Sequence, residues 1–146
     1  MRRIVLDTSV VVSAFRSKGG ASYAILDLVA ERRLVPLATP PLFLQYEEVL
    51  KRPDQLAASG LTLDAVDGIL NALASAVEGV TVYYAWRPQL PDPGDEMVLD
   101  TAVNGRADAL CAAAGARFAA ALAGAPGAVP LRPARRCAQP ARHAIA

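Results

Sequence analysis

The sequence predicts an α/β protein with a short parallel β-sheet and helices packed on both of its faces. Two observations carry that prediction. Short β-branched apolar runs alternate along the chain with segments patterned at helical spacing, which is how a parallel sheet and its crossover helices read in sequence. The chain has 146 residues, 53% of them apolar, which suits one domain with a real core.

Taken in order, "RIVLD" is a β-branched run ending in a polar turn and reads as a buried strand. "TSVVVSAF" follows as a helix, with Thr8 or Ser9 as the expected cap. "ASYAILDLVAERR" places Tyr23, Leu26, Val29 and Ala30 on one helical stripe. "LVPLAT" is a second short strand, weakened by Pro36. "PPLFLQYEEVLKRP" opens with proline, which suits a first helical turn, and turns Leu42, Tyr46, Val49 and Leu50 inward. "LTLDAVDGILNALASAVE" is a longer helix started by Thr62 or Asp64. "GVTVYYAW" reads as a third strand and "RPQLPDPGDE" as a loop of turn residues. "DEMVLDTAVNGRA" is a helix with acids in its first turn, where the dipole favours them. "DAL" begins a fourth strand. No internal repeat is present, and no glycine-rich fingerprint follows the first strand, so a dinucleotide fold is excluded.

Net charge is +1 and argues neither for nor against a nucleic-acid partner. Its distribution is uneven. All 14 acids lie at or before Asp108. Residues 1–110 hold ten basic residues against those fourteen acids, net −4, whereas 111–146 hold five arginines and no Asp, Glu or Lys, net +5. That last stretch has 15 alanines in 36 residues, so composition breaks sharply near Leu110. Cys111 and Cys137 have no metal-like spacing and no secretory context, and no disulfide is expected. "MRRIVLD" lacks the apolar core of a signal peptide, and the longest uncharged stretch, 118–131, is broken by Gly and Pro. The expectation is a soluble cytoplasmic protein with no membrane contact.

In a parallel α/β sheet, ligands bind outside the carboxyl ends of the strands. Asp7 sits at such an end, and Asp92 and Asp95 in "LPDPGDE" should reach the same rim. The helix near 45 adds Gln45, Glu47 and Glu48 from the same side. Carboxylates gathered in one cleft repel each other unless a cation is present, and an oxygen-only set suits Mg or Mn. Each acid also has a plainer explanation. Asp7 reads as a helix cap, Asp95 and Glu96 as first-turn acids, and Glu47 and Glu48 as partners of Lys51 and Arg52 on a solvated face. Tyr46 reads as core and His143 as inert. No serine or cysteine has a base partner, so nucleophilic hydrolysis has no support.

"IVLDTSVVVSAF", "LQYEEVLKRP" and "LPDPGDEMVLDTAVNGRADAL", in that order, resemble the PIN-domain family, in particular its bacterial branch of toxins from toxin–antitoxin systems. The resemblance covers residues 1–110. It implies a three-layer α/β/α fold with a short central parallel sheet. It also implies Mg- or Mn-dependent ribonuclease activity through clustered acids, an RNA substrate, a cognate antitoxin and a homodimer. Carried over by position, Asp7 is the first metal-binding aspartate, supported by Ser9, and Asp95 is the acid opening the late helix, with Asp92 and Glu96 beside it. The family's helical acid falls at Gln45, so Glu48 is the substitute ligand. The expected catalytic set is Asp7, Glu48 and Asp95, with Asp92 as a further metal ligand.

After "GRADAL" the chain departs from the family. Residues 111–146 offer no acid, so the fourth site position is absent. This Ala/Arg/Pro-rich tail reads as an aberrant segment, either frame-shifted from a GC-rich gene or divergent in its own right. The C-terminal strand and helix are expected to be lost or altered, which would expose a strand edge and apolar surface and leave nuclease activity weak. The competing function is a catalytically dead RNA- or antitoxin-binding module. A phosphatase-like hydrolase with Asp7 as nucleophile would need a second Asp where Ser9 stands.

Overall fold

The computed structural model describes residues 2–83, 90–113, 118–119, 122 and 129–139. Its elements are β1 (Arg2–Leu6), α1 (Thr8–Arg16), α2 (Ala21–Ala30), β2 (Leu34–Ala38), α3 (Pro40–Leu50), α4 (Pro53–Ser59), α5 (Leu63–Ala76), β3 (Glu78–Gly79), α6 (Pro93–Asn104), β4 (Ala109–Ala112), β5 (Leu131–Pro133) and the short α7 (Ala134–Cys137). The strands form one sheet in the order β3-β2-β1-β4-β5, and every pairing is parallel. All five strands therefore end at one rim, and helices flank the sheet as expected.

β1 is central and its last three residues, Ile4, Val5 and Leu6, are buried together with Leu37, Leu99 and Leu110. Burying a side chain of this size is worth about 1.5–3 kcal/mol, so the β-branched runs that mark the strands in sequence also drive the core. Local chemistry fixes the helix starts. Thr39 caps α3 by accepting from the Leu42 amide at 3.3 Å, and Thr62 caps α5 by accepting from Ala65 at 3.1 Å. At the end of α6, a Cβ on Gly105 would stand 2.8 Å from the Thr101 carbonyl oxygen and 3.0 Å from Leu37 and Val80. Only glycine lets this helix end approach β2 so closely.

Several expectations need correction. The stripe buried on α2 is Ser22, Ile25 and Val29, rotated from the expected one. Leu26 and Ala30 instead border a cavity of about 600 Å³ shared with β2 and α5. α4 was not foreseen: proline at its first turn and Gly60 in the left-handed conformation (φ +72°) bound a helix too short to show a period. The third strand differs from the expected 79–86: among the described residues Glu78 and Gly79 pair and 80–83 do not, and 84–89 lie outside the described residues.

The largest correction concerns the tail. The C-terminal strand expected to be lost or altered is present as β5, with Leu131 opposite Leu110 and Arg132 opposite Cys111. It covers the edge of β4, and Phe118, Leu122, Val129 and Cys137 join the core. A disulfide that the sequence does not lead one to expect joins Cys111 and Cys137, with 6.5 Å between their Cα atoms. The physical reason is register: β5 runs alongside β4, and α7 follows at once, returning Cys137 to the strand that carries Cys111.

Candidate functional site

Asp7 closes β1 and stands at the N-cap position of α1, and its residue is 2% exposed. Its side chain makes no capping hydrogen bond to α1. The carboxylate is instead held by the Ser9 hydroxyl, which donates to Oδ2 at 2.5 Å. The helix-cap explanation of Asp7 therefore fails. Asp7 is thus buried at the rim with its carboxylate turned to Ser9 rather than to the amides of α1. Its backbone amide is tied to the Cys111 carbonyl at 2.9 Å, which anchors the residue to β4.

Tyr46 of α3 is buried, as its apolar pattern implied, and its hydroxyl donates to the carbonyl of Leu6, the residue before Asp7. Burial, reinforced by the nearby Asp7 charge, pushes the Tyr46 phenol above its ordinary range. Tyr46 thus stays a neutral donor that fixes the end of β1 below the acid.

One residue earlier on the same helix, Gln45 meets the start of α6. A Cβ on Gly94 would stand 2.3 Å from Gln45 Nε2, so glycine is what admits this side chain. Gln45 Oε1 is buried and has no hydrogen-bond partner among the described residues. The next residue after Gly94 is Asp95, half-buried in the first turn of α6. α3 thereby links the two acids: Tyr46 bonds beside Asp7, and Gln45 abuts the residue before Asp95.

The other expected site residues have visible occupations. Asp92 is exposed and caps α6, accepting from the Gly94 amide at 2.8 Å. Glu48 has a side chain 70% exposed and pairs with Arg52 at 3.1 Å. Glu47 pairs with Lys51 at 2.9 Å. The contact with α6 thus belongs to Gln45 rather than to Glu47 or Glu48. Glu96 is buried and accepts from the Leu90 amide at 2.6 Å, securing the approach to α6. Asp100 was not singled out from the sequence, yet it is buried one turn on from Glu96. The next residue on that face, Asn104, donates to the Asp100 carbonyl and accepts from the Tyr83 amide, both at 2.9 Å. The i, i+4, i+8 spacing of Glu96, Asp100 and Asn104 was the available signal for this polar face.

Among the described residues, no three His, Cys, Asp or Glu side chains gather as a metal-binding group. The oxygens offered here are the carboxylates of Asp7, at the end of β1, and Asp95, in the first turn of α6, and the buried amide oxygen of Gln45, which has no hydrogen-bond partner among the described residues. An oxygen-only set with one buried, unsatisfied member fits a hard divalent cation, with less charge than an all-carboxylate set provides. Among the described residues, no single helix is long and apolar enough to cross a membrane.

Residues 3–113 match the family model described as PIN domain. No curated protein and no solved structure matches the chain.

Proposed function

The chain belongs to the PIN-domain family, whose fold is of the nuclease type and whose members are generally divalent-metal dependent, and from that premise we propose that it is a Mg- or Mn-dependent endoribonuclease. The observation that carries the reading is Asp7: a buried carboxylate at the carboxyl rim of the central strand, relieved of capping and oriented by Ser9.

In this reading Asp7, Asp95 and the Gln45 amide oxygen hold the cation. A divalent ion there would neutralise charge on a scissile phosphate and acidify a water. The protein's own part is placement. Ser9 fixes the rotamer of Asp7 by donating to Oδ2. Tyr46 fixes the backbone one residue earlier through the Leu6 carbonyl. Asp92 caps α6 with one of its two oxygens, Oδ1, which sets the first turn that carries Asp95. Gln45 contributes no charge, so cation affinity is lower than a third carboxylate would give.

We extend the proposal to the toxin half of a toxin–antitoxin pair, acting as a homodimer and silenced by a cognate antitoxin. The support is the resemblance of residues 1–110 to that branch. A second reading, a non-catalytic module that binds RNA or antitoxin, is favoured by the amide at position 45.

One experiment separates them: single-stranded RNA is incubated with the full chain and Mn²⁺, and separately with the chain in excess chelator. The nuclease reading predicts internal cuts with Mn²⁺ alone and their loss in Asp7→Asn. RNA that is bound but uncut under both conditions supports the module instead.

A further inference from the structure

We propose that Arg132, Arg135 and Arg136 form a phosphate-binding edge that holds single-stranded RNA along the rim leading to Asp7. The inference rests on the reading that the Asp7 rim acts on RNA.

The placement follows from strand register. Leu6 of β1 lies opposite Cys111 of β4, and Cys111 lies opposite Arg132 of β5. Adjacent strands are about 4.8 Å apart, which puts the Arg132 backbone about 10 Å from that of Leu6, the residue before Asp7. All three strands run parallel, so β5 ends at the rim where Asp7 stands. Arg135 and Arg136 follow on α7 and are exposed.

Among the described residues the charge on this edge is unanswered. No acid occurs after Asp108 in the whole sequence. Among the described residues, none of these three guanidinium groups has a hydrogen-bond or ion-pair partner. Elsewhere Arg3, Arg33, Lys51 and Arg52 each pair with an acid. Three unpaired arginines within five residues repel one another unless an anion lies between them. A planar guanidinium matches the oxygens of a phosphate with two parallel hydrogen bonds.

The edge is also held in place. The Cys111–Cys137 disulfide ties the end of α7 to β4. Arg2 donates to the carbonyls of Cys137 and Gln139 at 3.4 and 3.0 Å. A pre-positioned cluster loses less freedom on binding than a loose basic tail. RNA is favoured over an acidic protein partner because β5, which carries Arg132, ends at the rim of Asp7 and the cluster presents no large apolar anchor among its exposed residues.

The test uses fluorescence anisotropy of a labelled single-stranded RNA of roughly 12 nucleotides, with the oxidised full chain in chelator so that no cleavage intrudes. Affinity is followed between about 50 and 200 mM salt, where each phosphate contact to a single strand adds about 0.7 to the log–log slope. Replacing Arg132, Arg135 and Arg136 with alanine should make the slope shallower by about 2. Replacing the same three with lysine should keep it. Replacing Lys18, Arg32 and Arg106 with alanine removes equal charge elsewhere and should leave it unchanged.

Equal changes from both alanine triples, or none from the first, would overturn the inference. So would polyglutamate competing as well as RNA, which would assign the edge to an acidic peptide. Should the first triple not fold by circular dichroism, Arg135→Ala with Arg136→Ala reads the same effect at about 1.4 in slope. The nuclease reading fails separately: RNA held by these arginines but never cut with Mn²⁺ keeps the edge and removes the enzyme.

Discussion

Gln45→Glu probes whether the α3 side chain belongs to the acidic rim. Nε2 of Gln45 and Oδ1 of Asp92 lie 2.3 and 3.2 Å from one common point, the Cβ position of Gly94, which bounds their separation at about 5.5 Å. A glutamate oxygen replacing that nitrogen faces Asp92 across the same gap. Two unit charges at that distance repel by roughly 0.8 kcal/mol in bulk water and roughly 3 kcal/mol at an effective dielectric of 20. Asp92 is exposed, so the lower end applies, and about 1 kcal/mol is expected. For a chain of this size that lowers Tm by about 3–4 °C without metal. With Mn²⁺ the sign reverses. A third carboxylate that tightens binding tenfold adds about 1.4 kcal/mol of metal-linked stability at a fixed excess of ion. Differential scanning fluorimetry of both proteins, in chelator and across a Mn²⁺ series, reads both effects. An unchanged apo Tm together with an unchanged Mn²⁺ shift would refute the placement of Gln45 at the cation site.

Three further outcomes follow from the same contacts. Tyr46→Phe removes the donor to the Leu6 carbonyl from a residue 2% exposed, and should cost about 1–3 kcal/mol by urea denaturation at neutral pH. Burial first and Asp7 second raise the Tyr46 pKa in the folded chain, so its stability contribution is complete below the unfolded value near 10 and is lost above it; wild type should lose about 1.4 kcal/mol per pH unit relative to Tyr46→Phe in that range, and parallel curves would contradict this. Cys137→Ser opens a loop whose ends are 26 residues apart, worth about 3.5 kcal/mol by chain entropy, and dithiothreitol should destabilise wild type but not the variant. Glu48→Gln breaks only an exposed pair with Arg52 and should change stability by less than about 1 kcal/mol, leaving Mn²⁺ affinity untouched in a titration.

What sequence could reveal depended on the range of the interaction. β1, α3 and α6 were legible because their signals are local: a β-branched run, a proline opening with an apolar stripe, and acids in a first turn. β5 was not, because "LRP" carries no strand pattern and gains its pairing only from β4. The disulfide depends on the same strand order and was invisible for the same reason. Asp7 was legible as a residue but not as a role. Its position after a strand suits a cap equally well, and only the direction of its carboxylate toward Ser9 decides. The choice among Gln45, Glu47 and Glu48 turned on about 100° of helical phase per residue, too fine for an apolar stripe to settle. The Gly94 contact places Gln45 against the start of α6, and Gln45 is proposed from that contact. Glu96 shows the converse: it reads as a first-turn acid, but it is buried and accepts from the Leu90 amide.

The central claim is that the Asp7 rim cuts RNA with a divalent cation. Its most direct test is single-turnover cleavage of an end-labelled single-stranded RNA by the full chain, titrated with Mn²⁺, beside Asp7→Asn and Asp95→Asn. The account predicts cleavage that rises and saturates with Mn²⁺ in wild type and vanishes in both variants while RNA binding persists. Cleavage that continues in chelator, or in Asp7→Asn at saturating Mn²⁺, would contradict it.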